Sequence, residues 1–272
     1  MDTADLSRSP SIRVSVVIPV RNEAANLGPL ISEIVSALGS PSDWEVVCVD
    51  DGSADDTPLL LAEMTAAPGS RVRAFRHASG QGQSAAIVSG VRRARGEYIV
   101  TIDGDGQNDP ADIPRLLATL VEVEASDPDT PVLVAGRRAR RRDSLLKRVS
   151  SRVANAVRSR ILRDSTSDTG CGLKAFRRGE FLALPHFDHL HRFLPALFVR
   201  QRGRVVAVEV NHRERRGGRS NYGVLDRLGV GIVDLAGVWW LMRRPCTAGV
   251  TRIAPESTTP RPDRAPPSAA TR

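Results

Sequence analysis

The residues Tyr98-Ile99-Val100-Thr101-Ile102 run directly into Asp103-Gly104-Asp105-Gly106-Gln107. A short apolar run that ends in a polar, glycine-containing turn is typical of a buried strand. The two carboxylates form a compact pair of hard-oxygen ligands, and Mg²⁺ takes one or two protein carboxylates and completes its shell with water and phosphate oxygens. Asp103 and Asp105, with Gln107 beside them, are therefore candidate ligands of Mg²⁺ or Mn²⁺.

Two earlier apolar runs also end in polar or acidic turns. Val46-Val47-Cys48-Val49 leads to Asp50-Asp51-Gly52-Ser53, and Val14-Ser15-Val16-Val17-Ile18 leads to Pro19-Val20-Arg21-Asn22-Glu23. Ligands of open α/β sheets bind at the carboxyl ends of the strands, so the three turns are expected to converge on one crevice. The alternative is that these acidic residues are only turn formers and helix N-caps.

Strands and helices alternate through the first half of the chain. The pattern predicts strands near 13–20, 45–49, 71–75 and 97–102, separated by helices near 24–38, 57–66 and 82–95. It then predicts a strand near 132–136, a basic helix near 144–162, a strand or turn at 172–177, a helix at 192–201 and a strand at 204–210. This rhythm indicates an α/β fold with a mostly parallel sheet and right-handed crossovers.

Taken in order, these motifs resemble family 2 glycosyltransferases with the GT-A fold. The resemblance begins with residues 17–23, 49–53 and 103–107 and covers roughly residues 12–240. Ser167-Asp168-Thr169-Gly170-Cys171-Gly172-Leu173-Lys174-Ala175-Phe176-Arg177 resembles the branch that acts on polyprenyl phosphates, which includes dolichyl-phosphate mannose synthases. His191-Arg192-Phe193-Leu194-Pro195 and Arg219-Ser220-Asn221-Tyr222-Gly223 extend the match, although the branch often has lysine where Asn221 stands.

The resemblance implies a Rossmann-like sheet flanked by helices and an inverting, metal-dependent transferase. Such an enzyme would move a hexosyl group from a nucleotide-diphosphate sugar to a polyprenyl (dolichyl or undecaprenyl) phosphate. GDP-mannose is the first expectation for the donor and a UDP-sugar the second, by family prevalence alone. Two rivals stay open: a transferase that acts on a saccharide hydroxyl, and an inactive basic scaffold that binds membranes.

The resemblance also assigns roles to individual residues. Those assigned to the nucleotide sugar are Pro19, Arg21, Glu23, Asp50, Asp51, Ser84, Asp103, Arg219 and Ser220, and those assigned to the acceptor phosphate are Arg137, Lys147, Arg148 and Ser151. Acidic side chains suit ribose hydroxyls and base N–H donors. The backbone of Gly80-Gln81-Gly82-Gln83-Ser84 either approaches the donor phosphates or forms a flexible loop and cap.

Asp105 and Asp168 are the candidate catalytic residues, and the role of Asp168 stays open. A phosphate monoester is already largely ionised near neutral pH, because its second pKa is about 6. Such an acceptor needs positioning more than deprotonation. Asp168 therefore acts either as a base or as the group that orients the sugar or the arginines around the acceptor.

The charge of the chain is unevenly distributed. The formal net charge is +8, and the basic residues concentrate at 137–152, 213–219 and 243–244. Arginine suits phosphate, and basic surfaces are attracted to anionic membranes. A membrane or lipid phosphate is favoured over a merely solvated face, and the low aromatic fraction of 4% counts against nucleic acid.

The residues from 225 to 242 are almost wholly apolar and precede Arg243-Arg244. We predict an interfacial helix here; the alternative is a helix that packs in the core or in a homo-oligomer. The predicted boundaries are a flexible segment at 1–11, the catalytic domain at 12–224, this helix at 225–244 and a disordered tail at 245–272. With three unpaired cysteines, no signal peptide and no membrane span, we expect a peripheral protein on the cytoplasmic face of the membrane.

Overall fold

The computed structural model describes residues 12–39, 43–138, 158–162, 168–213 and 224–244, and their side chains except those of 224–230. The predicted segments at 1–11 and 245–272 lie outside these ranges, as do most of the basic helix predicted near 144–162 and the loop at 219–223. Residues 158–162, the end of that predicted helix, are helical.

The first half of the chain alternates strand and helix as predicted. Strands β1 to β4 are Val14–Val20, Trp44–Asp50, Val72–Arg76 and Tyr98–Thr101, and helices α1 to α3 between them are Ala24–Leu38, Thr57–Ala66 and Gln83–Arg93. A 3₁₀ turn at Pro110–Asp112 leads into α4, Ile113–Ser126. The apolar periodicity located β1 to β4 and α1 to α3 to within two residues, whereas α4 was not predicted.

Among the described residues, the second half completes the sheet and adds three helices to the helical segment 158–162. In chain order its elements are β5 (Val132–Arg138), β6 (Lys174–Arg177), α5 (Arg178–Leu182), α6 (Leu194–Arg200), β7 (Arg204–Val210) and α7 (Val224–Met242). None of the described helices is both long enough and apolar enough to cross a membrane.

The seven strands form one sheet in the order β3-β2-β1-β4-β6-β5-β7. Strands β3, β2, β1 and β4 are parallel, and β7 is parallel to β5. Strand β6 lies between β4 and β5 and is antiparallel to both. The prediction of a mostly parallel sheet is confirmed, and β6 is the exception.

Apolar side chains cover both faces of the sheet. Val16 of β1 packs on one face with helices α1 and α4, whereas Val17, the next residue, packs on the other face with α3 and α6. Strands buried on both faces read as continuous apolar runs because the alternating side chains meet a helix on either side. This is why β1, β2 and β4 were recognisable from the sequence.

Helix α3 lies very close to β1 at Gly90. A Cβ added there would stand 2.4 Å from Val17 Cγ1, well inside contact distance, whereas a Cβ at Gly28 in α1 would meet only Met64 Cε at 3.9 Å. We expect Gly90→Ala to lower the free energy of unfolding by about 1–3 kcal/mol through overpacking. Gly28→Ala should raise it by up to about 1 kcal/mol through helix propensity.

Urea unfolding of the two variants beside the wild-type protein measures both effects. The two substitutions add the same methyl group to a helical glycine, so they differ only in the space around it. Equal effects of the two substitutions would contradict the close approach of α3 to β1.

Candidate active site

The three polar turns converge at one edge of the sheet. The register pairs Val20 at the end of β1 with Asp50 at the end of β2, and Val17 with Thr101 at the end of β4. A Cβ at Gly104 would lie 2.9 Å from Val20 Cγ1, so the turn after β4 packs directly on the end of β1. The predicted crevice therefore exists at the carboxyl ends of β1, β2 and β4.

Asp103 borders a cavity of about 220 Å³ in this crevice. Gln83, at the start of α3, donates from Nε2 to Asp103 Oδ1 over 2.8 Å. Burial and the neighbouring Asp105 raise the pKa of Asp103 to about 6, although nearby Lys174 and Arg138 pull in the other direction. A cation bound between the two carboxylates would relieve the repulsion that raises this pKa.

The segment after β7 holds the turn that carries Asp105. The Gln107 N–H donates to Asp105 Oδ1 over 3.1 Å, and the Gln107 carbonyl accepts from the Arg213 N–H over 2.9 Å. An antiparallel backbone bridge pairs Asn108 with His212. The metal-site turn is thus fastened to residues that immediately precede the undescribed stretch 214–223.

Gly172 supplies the space that the Asp103 carboxylate occupies. A Cβ at this position would stand 2.2 Å from Asp103 Cγ and 2.2 Å from Oδ2, distances that no side chain tolerates. Thr101 Oγ1 also donates to the Gly172 carbonyl over 2.8 Å, which fixes the backbone of the loop against β4. The loop before β6 therefore closes one side of the carboxylate pocket.

Asp168 is held by Arg138 in a two-pronged ion pair. Arg138 donates from Nε to Asp168 Oδ2 and from Nη2 to Asp168 Oδ1, both over 2.7 Å, and its backbone N–H adds a third bond to Oδ2 over 3.2 Å. These bonds to Asp168 raise the pKa of Arg138. A carboxylate held in this way is well placed to orient an arginine.

Lys174 brings a second cation beneath the site. Its side chain is only 3% exposed and contacts the Cys171 carbonyl. Burial lowers the pKa of Lys174, while Cys171, Asp103 and Asp168 oppose that effect. Arg138 and Lys174 thus bring two cations to the carboxylates of Asp103, Asp105 and Asp168.

Asp50 lies buried at the end of β2. Its Oδ1 accepts the Ser53 N–H over 2.9 Å, and its Oδ2 lies 3.1 Å from Arg76 Nε. Oδ2 makes no hydrogen bond to the described residues that meets the usual angular limits. Asp50 Oδ2 is thus a buried oxygen whose charged neighbour is Arg76.

Asp51 fastens the glycine-rich turn that precedes α3. Its Oδ1 accepts the Gln81 N–H and contacts His77 Nδ1, and its Oδ2 accepts the Gly82 N–H, each over 2.8 Å. Burial disfavours its charge, but the bonds from Gln81, His77 and Gly82 outweigh that effect and lower the pKa of Asp51. The contacts of Asp51 are those of a residue that holds the loop at 80–82.

Ser84 and His191 join the start of α3 to the segment before α6. Ser84 is 1% exposed, and its Oγ lies 2.7 Å from His191 Nδ1 and accepts the His191 N–H over 3.3 Å. Burial, followed by the nearby Lys174 and Arg192, lowers the pKa of His191 to about 3. His191 also lines the Asp103 cavity.

The residues of the first turn that were predicted to bind the nucleotide sugar differ in exposure. Pro19 lines the Asp103 cavity, and Glu23 is buried and accepts from Asn26 Nδ2 over 2.6 Å. Arg21 is exposed and lies over Gly80, where an added Cβ would come within 2.6 Å of its guanidinium. Arg21 thus places a cation over the glycine-rich turn.

The predicted acceptor residues are only partly described. Arg137, at the end of β5, is half-exposed and forms an ion pair with Glu209 over 2.7 Å. Lys147, Arg148 and Ser151 lie outside the described residues, and so do Arg219 and Ser220 of the donor set. Their assignments stay predictions.

Sequence reasoning gave no site role to Gln83, Arg138 and Lys174. Arg138 was visible only as one member of a basic cluster, and Gln83 as one polar residue in a glycine-rich loop. The position of Lys174 was informative, because a lysine at the start of a short apolar strand is buried and needs a partner for its charge.

Comparisons with known proteins identify a family model and relatives that this chain matches. Residues 15–182 match the model of Glycosyl transferase family 2. A dodecaprenyl-phosphate galacturonate synthase of Rhizobium johnstonii is 35% identical over 88% of this chain and 70% of its own length. An undecaprenyl-phosphate 4-deoxy-4-formamido-L-arabinose transferase of Edwardsiella ictaluri is 38% identical over 78% of this chain and 63% of its own length.

Solved structures share the architecture. A glucosyl-3-phosphoglycerate synthase from Mycobacterium tuberculosis, bound to Mn²⁺, UDP and its product, has a TM-score of 0.59 at 20% identity over 85% of this chain and 79% of that chain. A mannosyltransferase from Pyrobaculum calidifontis, bound to GDP-Man and Mn²⁺, has a TM-score of 0.60 at 24% identity over 88% and 67%. The predicted GT-A fold is confirmed.

The hydrogen bonds that Asp51 accepts from the glycine-rich turn predict the effect of a substitution on stability. Asp51→Asn replaces one acceptor oxygen by an amide that faces a backbone donor, so the free energy of unfolding should fall by about 2 kcal/mol. The native pKa of Asp51 is lowered, so its contribution is present above the unfolded-state value of about 4 and is lost as the pH falls through the native value.

Urea unfolding at several pH values measures this loss, which should shrink in acid. Asp56→Asn is the matched control, because Asp56 is exposed and its side chain does not cap α2. A loss for Asp51→Asn no larger than that of the control would overturn the assignment.

Proposed function

The chain belongs to glycosyl transferase family 2, and we propose that it moves a glycosyl group from a nucleotide-diphosphate sugar to the phosphate of a polyprenyl lipid. The observation that carries the proposal is the carboxylate pair Asp103 and Asp105 at the point where three parallel strand ends meet. Relatives with 35% and 38% identity, named for transfer to dodecaprenyl and undecaprenyl phosphate, support this acceptor class.

The carboxylate pair fits Mg²⁺ or Mn²⁺ that shares its shell with a ligand. Among the described residues no group of three or more His, Cys, Asp and Glu side chains could enclose an ion alone. Asp103 and Asp105 leave room for the phosphate oxygens and waters that such ions prefer, and Gln107 is the third candidate. The bound ion would supply charge neutralisation for the departing diphosphate.

The nucleotide would lie along the ends of β1 and β2. We propose that Asp50, at the end of β2, accepts from a base N–H or a ribose hydroxyl when the nucleotide is bound. Arg21, over the glycine-rich turn, suits a phosphate or the edge of the base. We propose that Asp51, Ser84 and Glu23 serve this site indirectly, since their side chains hold the loops that line it.

The transfer needs no strong base on the acceptor side. In a single in-line displacement an acceptor phosphate oxygen forms the new bond to the anomeric carbon, while the bond to the diphosphate breaks and the nucleoside diphosphate leaves with the electron pair. An ionised phosphate brings its own nucleophile. We therefore propose that Asp168 aligns Arg138 for the acceptor phosphate, together with Arg137, Lys147, Arg148 and Ser151.

The sugar is the open part of the proposal. GDP-mannose was the first expectation from the sequence, but the similar relatives are named for galacturonate and 4-deoxy-4-formamido-L-arabinose. A donor that carries a uronic acid or a modified pentose therefore stands beside mannose and glucose as a candidate.

Transfer of radiolabelled sugar into organic-extractable lipid tests the proposal. The assay contains undecaprenyl phosphate, Mn²⁺ or Mg²⁺ and, in turn, GDP-mannose, UDP-glucose, UDP-galacturonate and UDP-4-deoxy-4-formamido-L-arabinose. We expect one donor to give a lipid product that mild acid cleaves, and EDTA to abolish its formation. Nucleotide binding without lipid labelling would indicate that the acceptor is a saccharide hydroxyl. Absence of nucleotide binding would indicate an inactive scaffold.

Gly172→Ala is the sharpest test of the Asp103 pocket. The added methyl group would displace the Asp103 carboxylate, and a shift of about 1 Å at a reacting centre costs about 100-fold in rate. Gly179→Ala is the control, because a Cβ there meets nothing within 4 Å. Turnover of Gly172→Ala within threefold of the control, at equal thermal stability, would exclude the pocket.

A further inference from the structure

Arg192 is a cation at the edge of the Asp103 cavity that no described residue neutralises. It is partly buried and lines the cavity next to His191. No carboxylate of the described residues lies within 4 Å of its guanidinium, which donates no hydrogen bond to them. An arginine taken partly out of water gains from a counter-charge, so Arg192 is available to an anion that enters the cavity.

Buried neighbours hold Arg192 in place on both sides. It ends a 3₁₀ turn, Leu190–Arg192, whose first residue is buried in the core. The next residue, Phe193, packs with Val238 of α7. The N–H of His191 donates to Ser84 at the start of α3. The position of the arginine is therefore fixed by its neighbours and does not depend on an ion pair of its own.

The other charged groups that line the cavity, Asp103 and Lys174, act on each other. Lys174 stabilises the Asp103 carboxylate and contacts the Cys171 carbonyl. His191, the neighbour of Arg192, is uncharged near neutral pH, because burial, Lys174 and Arg192 lower its pKa to about 3. The described residues on this side of the cavity therefore leave the positive charge of Arg192 uncompensated.

Arg138 approaches the same cavity from the end of β5. Gly170 lines the cavity, and a Cβ there would stand 3.2 Å from Arg138 Nη2. Asp168 fixes this guanidinium with two hydrogen bonds, each over 2.7 Å. Two arginines thus come to the cavity from different elements, and one of them is aligned by a carboxylate.

The cavity has room for a phosphate group but not for a lipid chain. Its volume of about 220 Å³ corresponds to about seven water molecules. Guanidinium groups bind phosphate through paired N–H donors. The uncharged ring of His191 adds a polar surface beside them that neither attracts nor repels the anion by charge.

We propose that Arg192 binds the phosphate of the acceptor, in the cavity that Arg138 approaches from β5. This role rests on the proposed function, which supplies the phosphate. The two arginines hold two of the terminal phosphate oxygens. The third oxygen forms the bond to the anomeric carbon, while the bond to the donor diphosphate breaks and its electron pair leaves with the nucleoside diphosphate.

The donor diphosphate is the other phosphate of the proposed reaction. Its charge is the one that an ion at Asp103 and Asp105 would neutralise, and Arg21 lies over the glycine-rich turn on the nucleotide side. Arg192 shares its cavity with the loop that follows Asp168, the residue that aligns Arg138. The acceptor phosphate is therefore favoured over the donor diphosphate.

Steady-state transfer to farnesyl phosphate, a short polyprenyl phosphate, tests this role. With a saturating concentration of the donor found by lipid labelling, Arg192→Gln should raise KM for farnesyl phosphate about 10- to 100-fold, the range expected for a charge-assisted hydrogen bond. KM for the donor should stay within about threefold of the wild-type value. Arg192→Lys keeps the charge but not the paired donors, so its KM for farnesyl phosphate should be intermediate.

Arg95→Gln is the matched control, because it removes the same charge at the opposite edge of the sheet. Arg95 is exposed, lies just before β4 and forms no ion pair with the described residues. This variant should match the wild type in both KM values. Titration with UDP or GDP in the presence of Mn²⁺ should give the same affinity for every variant, because the carboxylate pair stays intact.

Equal KM values for farnesyl phosphate in Arg192→Gln and Arg95→Gln would overturn the inference and leave the proposed function standing. A rise in KM for the donor, or a loss of nucleotide affinity, without a change in KM for farnesyl phosphate would assign Arg192 to the donor and overturn it as well. Absence of transfer to a lipid phosphate by the wild type and by Arg95→Gln, with every donor, would refute the proposed function and the role of Arg192 with it.

Discussion

Charge compensation beneath the carboxyl end of β4 is the constraint on which the rest of the site depends. Asp103 is held among Asp105, Lys174 and Arg138, and burial together with Asp105 raises the pKa of its carboxyl to about 6. Buried ionised groups persist only when partners and hydrogen bonds offset their desolvation. Lys174 and the Asp168–Arg138 pair supply that offset, which leaves the carboxylate pair ready for a cation that arrives with its nucleotide.

The reversed strand β6 is what delivers these compensating groups. Because β6 runs against β4 and β5, its amino end lies at the same edge as the carboxyl ends of the parallel strands. Gly172 and Lys174 therefore reach the Asp103 pocket from β6, while Arg138 reaches it from the end of β5. An all-parallel sheet would have placed the residues before β6 at the opposite edge.

The sequence predicted what depends on local pattern. Apolar periodicity located the strands and most helices but missed α4 and α5, and the acidic turns after β1, β2 and β4 marked the edge where those strands meet. It gave no orientation for β6, because a four-residue strand carries no record of its neighbours. Nor could it show that Asp51 binds the backbone of Gln81 and Gly82, or that Asp168 grips Arg138, since those contacts join residues about thirty positions apart.

Ser84 holds an uncharged ring at the edge of the cavity. Its Oγ lies 2.7 Å from His191 Nδ1 and accepts the backbone N–H of His191. With a pKa of about 3, the imidazole stays uncharged from mild acid to alkali. The cavity thereby gains a polar lining group whose charge does not vary with pH, beside carboxylates and cations whose charges respond to whatever binds there.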